Sequence, residues 1–395
     1  MSVARQRIRR GLLRAAGAAR RGGQAPREAT PQRILLIRPD HLGDVLWLTP
    51  ALHALRQRLP EATIAVAVGP WSTPLLADNP DLDYLLPIGF PGFARRPKRD
   101  PLAPYRLLAT EARRLRHWGF DAALILRDDH WWGAWLAAAA GIPRRLGYRQ
   151  PDVAPFLTDS LPLPGHEHAA VGNLRLVEEV LRWAGQPPLL AAGAEPRRDY
   201  PLVFHPGASA QERAAALLGP VPDDGRPLVA IHASAGVPVK LWDEGRLAAV
   251  ANQLAAEHDA RIVLTGGPGD EPLTGAVAAQ MTAAAPLDLT GRTDIATLVA
   301  LYRRCALVLG PDSGALHLAV AAGAPTVHLY GPADPVKFGP WGDPARQRVV
   351  HAGRHCARCG DLSPERPRGA ACMLAIGVEE VVAAARPLLA LGARR

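Results

Sequence analysis

The sequence predicts an α/β chain of two halves, each a parallel sheet covered by helices on both faces, with the two sheets facing a central cleft. Three observations predict it. Short, continuously apolar runs alternate with amphipathic helical patterns, the signature of strands buried on both faces. That rhythm stops across a Pro/Ala/Gly-rich stretch and then restarts. The length of 395 residues suits two domains better than one. The expected boundaries are a basic tail over 1–30, a first Rossmann-like domain over 31–185, a connection over 186–226 and a second Rossmann-like domain over 227–395.

The rhythm opens at RILLIR (Arg33–Arg38), a short apolar strand. A tight loop, RPDHLGD, leads into a helical pattern from Val45 to Leu59. ATIAVAVG is the second strand and DYLLPI the third. A Pro/Arg-rich loop, GFPGFARRPKRDP, precedes a helix through YRLLATEARRLRHWG and then the strand DAALILR. In the connection a helix is expected near Gln211 to Leu218. The second series has strands PLVAIHA, ARIVLTGG, ALVLGPD and PTVHLYG, with helices at Glu244–His258 and Ala315–Ala322. In open α/β sheets ligands bind outside the carboxyl ends of the strands, so the loops after these strands are where chemistry is sought.

Composition narrows the partners. The net charge is +9 and the pI about 9.9, which favours an acidic partner: a phosphorylated substrate, an anionic membrane face or nucleic acid. Almost all the positive charge is arginine, and Lys98, Lys240 and Lys337 are the only lysines. Four cysteines are too few for a disulfide scaffold. No apolar run is long enough to span a bilayer and no secretory signal precedes the first strand, so a cytoplasmic setting is expected. The first 30 residues are Arg-rich and nearly acid-free. They read as a disordered tail, as a basic helix on anionic lipid, or as a stretch that mimics a transit peptide.

The loop after the first strand carries one glycine, Gly43, and ends on a carboxylate, Asp44. A dinucleotide fold needs three spaced glycines there, so a nicotinamide or flavin site in this half is disfavoured. Asp44 is left with three roles: capping the helix, holding a ribose, or taking a proton from a substrate. No P-loop and no G-x-S-x-G elbow occurs. The second half is richer. HASAGVPVKLW brings Ser234 and Lys240, LTGGPGDE brings Gly266 and Gly267, and GPDSGALHLA brings Asp312, Ser313, Gly314 and His317. Backbone N–H groups at a helix start, with a lysine as point charge, suit a nucleoside diphosphate.

These blocks carry a family resemblance. GDVLWLTPALHALRQRLPEATI, LLADNPDLD, AAGIPRRLGYR, the HASAG…KLW block, VLTGGPGDE, the DLTGRTD…GPDSGALHLAVAAGAPTVHLYGP run and FGPWG resemble glycosyltransferase family 9, the heptosyltransferases of lipopolysaccharide core assembly. The match runs from about Arg33 to Leu388. It implies a GT-B fold, with the acceptor bound by the first domain and the sugar nucleotide by the second. It implies inverting transfer with Asp44 as general base, and Gly43 and His130 on the acceptor side. Lys240 matches the family's lysine of the K-x-W block. Ser234, Gly266, Gly267, Asp312, Ser313, Gly314 and His317 fall in the nucleotide-sugar half. The implied donor is ADP-heptose. The implied acceptor is a lipid-linked glycan, reached from the cytoplasmic membrane face with peripheral contact to anionic lipid. No nucleic-acid motif is present, and no cofactor is required.

Departures from the family pattern bound these expectations. HPGAS (His205–Ser209) resembles a phosphate loop but stands before the expected connecting helix. GGPGDE offers Asp270 or Glu271 as the ribose-contacting acid at shifted spacing. RDDHWWGAW replaces a stretch that is usually smaller and more hydroxylated, which alters the acceptor side. Cys356, Cys359 and Cys372 are spaced so that zinc is one reading and an inert loop the other. Cys305 reads as core. Trp118, Trp131, Trp132 and Trp135 read as sugar platforms or, more commonly for tryptophan, as packed side chains. Two further function classes stay open: a transferase for another nucleotide sugar, and a non-catalytic membrane- or nucleic-acid-binding relative.

Overall fold

The structure is a computed structural model that describes residues 30–93, 100–219, 224–353, 358 and 360–392. The expected basic tail, Cys356 and Cys359 lie outside these residues. The chain divides into two compact units, the first ending at Pro196 and the second beginning at Arg197.

The first unit holds strands β1 (Arg33–Arg38), β2 (Thr63–Val68), β3 (Tyr84–Pro87), β4 (Ala122–Ile125), β5 (Arg144–Tyr148) and β6 (Asp159–Leu161). They form one sheet in the order β3-β2-β1-β4-β5-β6, every pair parallel. Helices α1 (Leu42–Leu46), α2 (Thr49–Arg58), α3 (Ala103–Arg116), α4 (Trp131–Ala139) and α5 (Ala169–Trp183) connect and cover it. Ile34, Leu35, Leu36 and Ile37 of β1 are fully buried, as a central strand with both faces covered requires.

The single helix expected over Val45–Leu59 is two. Pro50 has no N–H and its ring crowds the carbonyl four residues back, so the helix cannot run through it. The break falls at Trp47 and Leu48, and Pro50 sits in the first turn of α2, where a proline is tolerated. Two side chains satisfy the carbonyls at the break. Thr49 Oγ1 donates to Leu46 O at 2.8 Å, and Asn173 Nδ2 of α5 donates to Trp47 O at 2.9 Å.

The second unit repeats the plan. Its strands are β7 (Leu228–His232), β8 (Arg261–Thr265), β9 (Leu287–Asp288), β10 (Leu307–Pro311), β11 (Thr326–Tyr330) and β12 (Gln347–His351). The order is β12-β11-β10-β7-β8-β9, the same winding read from the other side. The longer helices are α6 (Ala208–Leu218), α7 (Glu244–His258), α8 (Glu271–Ala278), α9 (Ile295–Tyr302), α10 (Gly314–Ala321) and α11 (Val378–Gly392). Aspartate side chains cap two of them: Asp243 accepts from Arg246 N at 3.0 Å, and Asp294 accepts from Thr297 N at 2.7 Å. The helix expected near Gln211 is α6. It packs on α9, where Arg213 Nε donates to Thr297 Oγ1 at 3.1 Å.

Four strands were not expected: β5, β6, β9 and β12. β5 opens on two arginines, an unlikely start for a buried strand by composition. Arg144 lays its guanidinium 3.6 Å from the Trp183 ring centroid, and Arg145 donates to Phe156 O at 2.6 Å and Ile142 O at 2.5 Å. Stacking and carbonyl contacts thus let both charges be buried. β9 has two residues, too short for any periodic signal.

In each sheet the strand order reverses once, between β1 and β4 and between β7 and β10. At the second reversal the backbones are in close approach: a Cβ on Gly310 of β10 would stand 2.1 Å from the His232 carbonyl oxygen of β7. Gly310→Ala is therefore expected to force the two strands apart. Overpacking of this kind costs about 1–3 kcal/mol, a fall in the thermal midpoint of roughly 2–10 °C. An unchanged midpoint in a melting curve would contradict the contact.

Candidate active site

In open α/β sheets the crevice at the strand-order reversal is the usual ligand site. Both reversals here carry polar side chains at the carboxyl ends of otherwise apolar strands.

At the first, β1 ends in Arg38 and β4 leads into Arg127. Between them lies Asp40, almost fully buried. Its carboxylate is ion-paired with Arg38 Nε at 2.7 Å and with Arg127 Nη1. Burial alone would raise its pKa, but the two guanidiniums overcome this and hold it below the usual carboxylate range. Arg38 also donates to Leu126 O at 2.8 Å and to Asn173 Oδ1 at 3.3 Å, which locks its fork. Its remaining nitrogen, Nη2, donates to Asp44 Oδ1 at 3.2 Å. Arg127 Nε donates to Asp129 Oδ1 at 2.5 Å. The result is an alternating chain of charges: Asp44, Arg38, Asp40, Arg127, Asp129. The 70–75 turn is tied to the same point, because Trp71 Nε1 and Ser72 Oγ both donate to Asp40 O, at 2.9 and 3.1 Å.

Asp44 is the third residue of α1, and the N-cap position belongs to His41. The capping role open to Asp44 in the sequence is thus not the one it holds, although its charge still lies in the favourable first turn. Its side chain is 34% exposed, against 3% for Asp40. Gly43 is half-buried beside it. His130 lies one layer deeper, buried at the start of α4 with Phe90 at 5.2 Å and Phe93 at 5.6 Å between ring centroids. Burial lowers its pKa to about 3, so the ring is neutral at pH 7. Gly133 makes room for it: a Cβ there would stand 2.3 Å from His130 Nδ1. Trp132 is buried and donates to Pro104 O at 3.0 Å, and Trp135 stacks on Phe156 at 5.6 Å, so these two rings serve packing.

At the second reversal, Lys240 reaches from the loop after β7 to Asp312, which follows β10. Its Nζ donates to Asp312 Oδ2 at 2.5 Å. The other oxygen, Oδ1, is 3.5 Å from His317 Nε2 on α10. Burial works against the Asp312 charge, yet Lys240 and His317 pull the pKa well below the carboxylate range. Ser313 is the N-cap residue of α10, and its Oγ is buried without a hydrogen-bond partner among the described residues. Gly314 is the first residue of that helix. Ser234 is half-buried in the loop after β7. The sequence thus pointed to Lys240, Asp312, Ser313, Gly314 and His317, and the fold gathers them at one edge.

Gly266 and Gly267 follow β8, one strand further along the sheet. A Cβ on Gly266 would stand 2.9 Å from both Asp270 Cβ and Thr290 Cγ2. Asp270 Oδ2 accepts from Gly267 N at 2.8 Å, and Glu271 Oε2 from Gly269 N at 2.8 Å. Both candidate ribose acids are therefore bonded within their own loop. His232, at the end of β7, shares a hydrogen bond of 3.1 Å with Thr265 Oγ1, and burial lowers its pKa to about 4.

Arg38, Asp40, Arg127 and His328, a buried histidine of β11, escaped the sequence reading. The signal existed: each is a charged or titratable residue within or just after an apolar strand. The zinc reading fares differently. Cys372 is buried in the second unit's core beside Met373, and among the described residues no group of three or more metal-ligating side chains is gathered. Cys305 is likewise a core thiol, its pKa raised by burial.

Two doubly wound parallel units, each with polar groups converging at its own reversal, are the architecture of a GT-B glycosyltransferase. A family sequence profile described as glycosyltransferase family 9 (heptosyltransferase) matches residues 109–364, and the chain belongs to that family. It is 27% identical over 345 residues to lipopolysaccharide heptosyltransferase 2 of Salmonella typhimurium, covering 84% of this chain and 92% of the relative. It is 26% identical over 307 residues to lipopolysaccharide heptosyltransferase 3 of Escherichia coli, covering 76% and 82%. Among solved structures, a family 9 glycosyltransferase from Veillonella parvula superposes with a TM-score of 0.75 at 25% identity, covering 91% and 98%. The E. coli ADP-heptose heptosyltransferase II superposes at 0.69 with 23% identity, covering 91% and 99%, a likeness of fold.

The buried histidines set a pH dependence. His130 and His328 titrate near 3 and His232 near 4 in the folded chain, against about 6.5 when unfolded. Between those values the unfolded chain binds more protons, so stability rises with pH and is lost as pH falls from about 6.5. Each histidine contributes about 1.4 kcal/mol per pH unit in that window. Melting midpoints are expected to drop between pH 7 and 5, and His130→Phe to flatten the drop by about a third. A variant curve parallel to the parent's would mean that His130 is not held neutral.

Proposed function

We propose that this glycosyltransferase moves a heptose from ADP-heptose to a lipopolysaccharide-type saccharide acceptor, with inversion at the anomeric carbon. One observation carries the reading: Asp44 is a partly exposed carboxylate, oriented by Arg38 at the reversal of the first sheet, in a chain of family 9. The named activities of the lipopolysaccharide heptosyltransferase relatives support the donor and acceptor classes.

Asp44 is the general base of this reaction. The acceptor hydroxyl gives its proton to the carboxylate as its oxygen bonds to the anomeric carbon. The bond from that carbon to the diphosphate oxygen breaks on the opposite face, and ADP leaves with the electron pair. Lys240 and the backbone N–H groups that open α10 stabilise the charge gathering on the diphosphate. Ser234, Gly266, Gly267, Asp312, Ser313, Gly314 and His317 form the nucleotide-sugar side, and Gly43 the acceptor side with Asp44. His130 belongs to the layer beneath the acceptor side. Asp44→Asn is expected to lower kcat by about 10²- to 10⁴-fold with ADP affinity unchanged. An undiminished kcat would remove the base assignment. The product's anomeric configuration, read by NMR, is expected to be opposite to the donor's. A donor panel in which UDP-sugars turn over and ADP-heptose does not would overturn the donor.

Peripheral contact with anionic membrane is part of the same proposal. No described helix is long and apolar enough to cross a membrane. Residues 94–117 carry eight Lys/Arg and two acids. Within them Leu102 is 60% and Tyr105 47% exposed, beside the exposed Arg106 and Arg113. Apolar tips among arginines suit an acidic bilayer surface. The protein is expected to co-sediment with phosphatidylglycerol vesicles and not with phosphatidylcholine alone. Arg113→Glu with Arg116→Glu is expected to weaken this at least about tenfold. Equal binding to both vesicle types would count against the contact.

A further inference from the structure

A buried strand covered on both faces is normally apolar on both. β11 is not. Val327 and Leu329 face the apolar core of the second unit, but the alternate residues Thr326, His328 and Tyr330 are polar, and all five are fully buried. The polar face lies against α10, which carries His317. The His328 and His317 rings are 5.6 Å apart at their centroids, tilted by 41°.

The hydrogen bonds on this face run in one direction. Thr326 Oγ1 donates its one proton to Gln347 Oε1 of β12. It therefore accepts at its other contact, the 2.8 Å bond with His328 Nε2, which must carry the proton. Burial keeps His328 neutral, its pKa lowered to about 3, so its other nitrogen, Nδ1, is the unprotonated one. That atom is buried with no hydrogen-bond partner among the described residues. Leaving such a group unpaired is costly, and an apolar side chain of the same shape would avoid the cost. A buried nitrogen left in this state calls for another role.

We propose that His328, braced by Thr326 and Gln347, is a positioning residue for the Lys240–Asp312–His317 group: it fixes the ring of His317 and so the carboxylate that orients Lys240. The line of contact is continuous. Gln347 holds Thr326, Thr326 holds His328, and His328 packs on His317. His317 Nε2 lies 3.5 Å from Asp312 Oδ1, and Asp312 Oδ2 accepts from Lys240 at 2.5 Å. Tyr330, the next residue on the polar face, donates to Phe338 O, and burial together with the Asp312 charge raises its pKa. The proposal rests on the reading that this group binds the donor's diphosphate.

The test uses the full chain with ADP as probe, and variants His328→Leu, His328→Gln and Thr326→Val. His328→Leu is expected to weaken ADP binding about tenfold by calorimetry and to raise donor KM more than it lowers kcat, with the melting midpoint at or above the parent's. His328→Gln, whose amide nitrogen still reaches Thr326, is expected to recover most of the affinity. Thr326→Val, isosteric and with His328 in place, is expected to weaken ADP binding in the same direction, and it stands in if His328→Leu fails to fold. The decisive signature is the His317 imidazole nitrogen spectrum, expected to change in His328→Leu and return in His328→Gln. An unaltered His317 spectrum with parental ADP affinity overturns the proposal. If Lys240→Met leaves ADP affinity unchanged while the His317 spectrum still responds to His328→Leu, the diphosphate reading fails and the positioning contact stands.

Discussion

Everything at the two candidate edges depends on the strand-order reversal in each sheet. Where β1 meets β4, and β7 meets β10, the connections leave toward opposite faces of the sheet, which opens a crevice at the strand ends. Backbone and side-chain polar groups there must find partners among themselves. The protein meets this with charge alternation. Asp40 lies between two guanidiniums in the first unit, and Asp312 between an ammonium and an imidazole in the second. A buried carboxylate with one partner removed would be strongly destabilising, because desolvation would then be uncompensated. With both partners present, it becomes a rigid post from which neighbouring groups are aimed.

The two posts are built from different cations, and the difference has chemical content. At the first edge the partners are arginines, whose planar forks serve several acceptors at once: Arg38 reaches Leu126, Asn173, Asp40 and Asp44. At the second edge the partner is Lys240, one of three lysines among 46 basic residues. An ammonium is a compact point charge on a flexible stem, able to swing between a carboxylate and a phosphate oxygen without needing a planar fit. In a chain so committed to arginine, the lysine at this position places a compact point charge where arginine would place a planar fork.

Much of this was legible in the sequence, for stateable reasons. Continuous apolar runs gave the central strands, and the glycine- and serine-bearing loops after them gave Lys240, Asp312, Ser313 and His317. What escaped was whatever broke the apolar rule for a local reason. β5 begins with two arginines whose burial depends on Trp183 and on distant carbonyls, information no short window contains. The split of one helix into α1 and α2 was foreshadowed by Pro50, but the stabilising donation from Asn173 comes from 126 residues away. Asp40 lies in the same loop as Asp44, and nothing local distinguishes the two. Only the approach of Arg127, 87 residues on, makes Asp40 the buried partner and leaves Asp44 the open one.

The break at Trp47 and Leu48 has a consequence for how such a scaffold can change. Asp44 rides on a five-residue turn, α1, set off by the break from the ten-residue helix α2. The joint is closed by two side chains, Thr49 of α2 and Asn173 of α5, in place of an unbroken helical ladder. Substitutions that reshape the surface around Asp44 therefore need not disturb the helix that seals the sheet.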